Sequence, residues 1–116
     1  MQYLCLAYGS EKDWKALRDD EQDALLAQDE VLRQRGALVA AVDLHVKTVR
    51  SPAGIPISTD GAFAKSGAPL AGFCILEARD LEEAIDLVAQ TPCARANGAI
   101  ELRPITQMNE THVRAE

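Results

Sequence analysis

Apolar residues come along this chain in short runs bounded by turn formers, interleaved with two stretches of helical spacing. The first run, Tyr3 to Tyr8, is closed by Gly9-Ser10 and predicts a buried strand. Asp13 and Trp14 follow in a turn or short helical piece. From about Asp19 to Arg35, Leu25, Leu26, Val31 and Leu32 form one stripe at helical spacing. Acidic residues crowd the start of this stretch and Arg33 and Arg35 lie at its end, matching the helix dipole. Gly36 then stands where a helix commonly ends in a left-handed residue.

Leu38 to His45 reads as a second strand, which Val46 to Arg50 continues after a bend. Ser51-Pro52-Ala53-Gly54 is a turn cluster, and Ile55 to Thr59 is the returning hairpin strand. Asp60 to Pro69, with Gly61 and Gly67, reads as a loop. Leu70 to Glu77 is a strong strand. Asp80 with Glu83 three residues on forms a capping-box-like helix start. Leu81, Ala84, Ile85 and Val88 give that helix a buried face to about Gln90, and Thr91-Pro92 ends it. Asn97-Gly98 is a turn before a last strand, Ala99 to Ile105. Residues 1–105 thus form one domain, followed by a polar, frayed tail at 106–116.

The order β, α, β, β, β, α, β predicts an α+β, ferredoxin-like fold: an antiparallel sheet with two helices on one face. Alternation along the strands sorts the residues by face. One set mixes Val39, Ala41, Phe73 and Ile75 with Asp43, His45, Glu77, Glu101 and Arg103. A half-apolar, half-charged face suits a partner surface or a ligand cleft, and a homodimer packed face to face across it is the expectation. A solvated face with scattered apolar residues is the alternative.

Composition narrows the function. An apolar fraction of 47% over 116 residues suffices for one core and excludes a disordered chain. A net charge of −6 argues against nucleic acid and against anionic membranes as partners. The start lacks a basic leader segment and no apolar run is long enough to span a bilayer, so a cytoplasmic protein is expected. Cys5, Cys74 and Cys93 are neither a disulfide framework nor a zinc pattern. The first two sit in apolar runs and read as buried. No metal-ligand spacing, phosphate loop or dinucleotide fingerprint occurs, so no cofactor is expected.

Several motifs carry a resemblance. Thr59-Asp60-Gly61-Ala62-Phe63-Ala64-Lys65 resembles the DGPF loop of YCII-related domains, and Leu70-Ala71-Gly72-Phe73 resembles that family's L-x-G-F strand. Asp80-Leu81-Glu82-Glu83-Ala84 is similar to its helix start. Gly98-Ala99-Ile100-Glu101-Leu102-Arg103-Pro104-Ile105 is similar to its closing strand, and Tyr3 to Gly9 with Trp14 to its opening one. The resemblance covers about residues 1–105. It implies a ferredoxin-like domain of the dimeric α/β-barrel type, with some relatives acting on small organic molecules through a His–Asp pair. The motif's proline is Ala62 here, and the helix histidine of such relatives has no counterpart between Asp19 and Arg35.

The candidate residues follow. Asp60 is the candidate pocket carboxylate, although Asp60-Gly61 equally fits a simple turn. His45, the single histidine of the folded body, is its candidate acid–base partner, with a strand-end histidine on a partly exposed face as the alternative; His112 lies in the tail. Tyr8, Phe63 and Phe73 are candidates to line a ligand site, with core or interface packing as the alternative. Glu77 and Arg103 are candidates to bind a polar ligand group, while a cross-strand ion pair also accounts for such charges. The expected role is a small-molecule-binding or accessory domain. The alternatives are a lyase or isomerase using Asp60 with His45, and a regulatory or structural partner domain without ligand.

Overall fold

The protein is described by a computed structural model covering residues 1–108. Residues 109–116, with His112 and most of the expected tail, lie outside the described residues. The elements are β1 (Gln2–Tyr8), α1 (Glu11–Lys15), α2 (Asp19–Gln34), β2 (Leu38–Ala41), β3 (Lys47–Arg50), β4 (Ile57–Asp60), β5 (Leu70–Glu77), α3 (Leu81–Val88), α4 (Pro92–Arg95) and β6 (Ala99–Pro104). Strands β2, β5, β1 and β6 form an antiparallel sheet in that order. This is the ferredoxin-like arrangement. Strands β3 and β4 form a separate two-stranded ribbon inserted between β2 and β5.

Local chemistry fixes the ends of the helices. Gly36 follows α2 with φ of 92°, a conformation that a residue without Cβ adopts freely. Asp80 caps α3 by accepting the Glu83 N–H at 2.9 Å. Glu83 in turn reaches back to accept the Arg79 N–H at 2.7 Å. Thr91-Pro92 ends the α3 pattern, as expected, but Pro92 then starts a further single turn, α4. Proline suits that first position because its missing N–H would have no partner there.

The core lies between the helices and one sheet face. Tyr3, Cys5, Cys74 and Leu76 point into it and cluster with Ala84 and Val88 of α3, while Leu25 and Leu32 are the buried residues of α2. Ala84 is fully buried, so α3 approaches the sheet as closely as a methyl side chain allows. The helix stripes are narrower than their sequence suggests: Leu26, Val31, Leu81 and Ile85 are exposed.

Register corrects the expected sorting of faces. Val39 pairs with Cys74 and Ala41 with Gly72, so both belong to the helix side. Leu38 and Ala40 pair with Ile75 and Phe73 on the open face, beside Leu4 and Leu6. Residues directly opposite in an antiparallel ladder share a face, which leaves no other assignment. Strand β2 ends at Ala41, so Asp43 and His45 lie beyond the sheet.

Candidate functional site

A cavity of about 220 Å³ opens between the helix side of the sheet, α2 and α4. It exists because the sheet is lined there by small residues. Ala7, Ala41 and Gly72 sit beneath the helices where larger side chains would fill the layer. A Cβ at Gly72 would collide with the Ala40 carbonyl oxygen, so glycine also permits the close approach of β2 to β5. Leu32, Val39, Val88 and Ile100 complete an apolar wall.

Asp29 is the acidic group of this cavity. Helical spacing places it between Leu25 and Leu32, the two buried leucines of α2. Desolvation pushes its carboxyl above the ordinary aspartate range, and the Arg33 guanidinium one turn on opposes that shift. Arg33 also lines the cavity and holds Glu30 at 3.4 Å. A carboxyl shifted this way retains its proton to higher pH and can donate a hydrogen bond to a ligand oxygen.

Three thiols complete the lining: Cys5, Cys74 and Cys93. Cys5 and Cys74 are Cα partners across β1 and β5. The neighbouring Cys74 thiol and burial hold the Cys5 thiol far above its ordinary range. Burial, and then the charge of Asp29, raise the half-buried Cys93. No cluster of three or more His, Cys, Asp or Glu side chains suited to a metal ion occurs among the described residues.

A second groove, of about 490 Å³, lies at the end of the sheet from which the β3–β4 ribbon departs. Trp14, Val42, Leu44 and Pro69 line it, and it shares Ala71, Pro92 and Cys93 with the inner cavity. The two concavities thus adjoin.

The sequence-derived candidates fall into three places. Phe73 borders the inner cavity only from its place along β5, because the register turns it to the open face beside Leu6 and Ala40. Tyr8, Glu101 and Arg103 share the open sheet face, where the Tyr8 hydroxyl donates to Glu101 at 3.4 Å and Arg103 reaches the same carboxylate at 3.5 Å. Glu77, at the far end of β5, pairs with the N-terminal ammonium of Met1. Asp60, His45 and Phe63 belong to the ribbon and its flanks, and all three are exposed. Asp60 accepts from Lys47 at 2.5 Å, and the His45 backbone N–H donates to Asp43 at 3.3 Å. Sequence reasoning missed Asp29, although an acidic residue at the centre of the Leu25–Leu32 stripe is the signal that marks it.

No curated protein matches the chain. Among solved structures, it is similar to the 5-chloro-2-hydroxyhydroquinone dehydrochlorinase TftG of Burkholderia phenoliruptrix, determined in complex with 2,5-dihydroxybenzoquinone. The identity is 18%, the coverage 93% of this chain and 96% of the other, and the TM-score 0.48. The profile of the YCII-related domain matches residues 1–109, nearly the whole chain. The chain belongs to the YCII-related domain family.

Proposed function

We propose that this chain is a small-molecule-binding domain whose ligand occupies the cavity under α2, and that it works as a homodimer packed through its open sheet face. Residues 1–105 are the working unit, and the cytoplasm is its compartment. Three free cysteines suit a reducing compartment, and no described helix is long and apolar enough to cross a membrane.

One observation carries the reading: an apolar cavity with a half-buried carboxyl at its wall. Ligand sites are typically concave and apolar, with few polar groups that fix orientation. A cavity of about 150 Å³ admits benzene. At about 220 Å³, this one suits a single six-membered ring with one or two small substituents. Asp29 would hold a hydroxyl or carbonyl oxygen of that ring, with Val39, Val88 and Ile100 at the wall and Arg33 at the rim.

The test is saturation-transfer NMR with phenol as the probe. Transfer to the ring protons is expected in the native protein, with loss in Ala7→Leu, which fills the cavity. Equal transfer in both proteins would show that phenol goes elsewhere and would remove this site.

The enzymatic reading, a lyase or isomerase using Asp60 and His45, needs these residues brought to a ligand. Neither lines the cavity of its own chain. Their chemistry therefore depends on where the ribbon lies in the dimer.

A further inference from the structure

We infer that the β3–β4 ribbon is an arm that packs across the open sheet face of a second copy, bringing Phe63 and Lys47 onto that face in trans. The inference rests on the proposed homodimer and adds which segment crosses between the subunits.

The arm is not accounted for by its own chain. Strands β3 and β4 have extensive contacts only with one another. An isolated two-stranded hairpin is marginally stable in water and needs a further surface. The arm also displays apolar side chains to solvent: Phe63 is 79% exposed, Ile55 73% and Val49 65%. The radius of gyration is 16.4 Å, whereas a compact domain of this length has about 13 Å. The long axis reaches 51 Å.

Charge selects the partner. Residues 42–69 carry three basic side chains and two acidic ones, while the rest of the chain carries nine basic and sixteen acidic. A slightly cationic arm on a strongly anionic body is complementary to another body of the same kind. The open face supplies the matching surface. Leu4, Leu6, Phe73 and Ile75 form its apolar centre, and Glu101 stands on the edge strand beside them. The arm cations Lys47, Arg50 and Lys65 suit that rim, and Phe63 suits the centre. A two-fold dimer satisfies both surfaces at once, because each arm covers the other subunit's face through one set of contacts.

The experiment uses the full chain. An equimolar mixture of ¹⁴N- and ¹⁵N-labelled protein is treated with a carbodiimide, which joins lysine amines to carboxylates, and the cross-linked peptides are read by mass spectrometry. Mixed-isotope links from Lys47 or Lys65 to Glu101 are expected. Sedimentation in parallel should give a dimer whose Kd rises at least about tenfold in Phe63→Ser and in Val49→Ser. Both positions are exposed in the single chain, so thermal melting verifies that each variant is folded. Links confined within one chain would mean that the arm folds back on its own body and would overturn the inference. A dimer unaffected by both substitutions would overturn it too, while leaving the face-to-face dimer in place. A monomer at tens of micromolar would overturn arm and dimer together. Phenol uptake by the cavity is a separate readout, which none of these outcomes decides.

Discussion

Cys5 and Cys74 face one another as direct partners across β1 and β5, and both residues line the cavity under α2. Both residues are buried, whereas Cys93 is only half-buried. The three thiols should therefore react in a fixed order. With a maleimide at neutral pH, Cys93 is labelled first, more slowly than a free thiol because burial raises its pKa. Cys5 and Cys74 await unfolding. Labelling followed by mass spectrometry of peptides checks this, and early modification of Cys5 or Cys74 in the folded protein would contradict the packing.

Asp29→Asn should stabilise the protein at neutral pH. The folded carboxyl has a raised pKa, so the folded state holds its proton where the unfolded chain has released it. Stability from this group is complete below the ordinary aspartate value of about 4 and is lost as pH rises through the raised value. The gain from Asp29→Asn should therefore be largest near pH 7 and shrink toward pH 3. Melting temperatures measured across that range should converge at the acid end, and a gain that grows on acidification would contradict the desolvation of Asp29.

Gly98→Ala should be strongly destabilising. A Cβ at Gly98 would overlap the carbonyl oxygens of Tyr8 and Cys93, and both are backbone atoms that cannot swing aside. A loss of about 3 kcal/mol is expected, at the upper end of ordinary overpacking. Urea unfolding measures it. Gly36→Ala meets no atom within 4 Å, so its smaller loss should arise only from its positive φ.

Leu32→Ala should both weaken and enlarge the site. Leu32 is buried and lines the cavity, so its truncation should lower stability by about 2–5 kcal/mol. The remaining void would adjoin the native cavity. Saturation transfer from 1-naphthol should then appear or strengthen relative to phenol, and unchanged selectivity would show that Leu32 does not bound the ligand.

The ferredoxin-like strand order could be read from the sequence because its signals are local. Turn residues bound each run, Asp80 and Glu83 announce a helix start, and Gly36 and Asn97 take the left-handed conformations that their positions suggest. The face of β2 could not be read. Leu38, Val39, Ala40 and Ala41 are all apolar, so alternation offers no choice, and only the register against β5 decides. The site was less legible for the same reason. Cys5 and Cys74 are distant in sequence and become partners only through long-range pairing. Asp29 looks like one more acid on a charged helix until Leu25 and Leu32 are seen to be the buried residues.

The insertion of the arm also bears on how the sheet assembles. Ala41 and Leu70 end adjacent antiparallel strands, a join that ordinary hairpins make with about two to five residues. Here residues 42–69, a segment of 28, intervene. Closing a loop of that length rather than one of about four residues adds about 1.7 kcal/mol of chain entropy. If β2 and β5 pair in the transition state, a chain with the arm replaced by a short Asn-Gly turn should fold roughly tenfold faster. The segment that reaches outward from the body thus slows the closure of the sheet from which it springs.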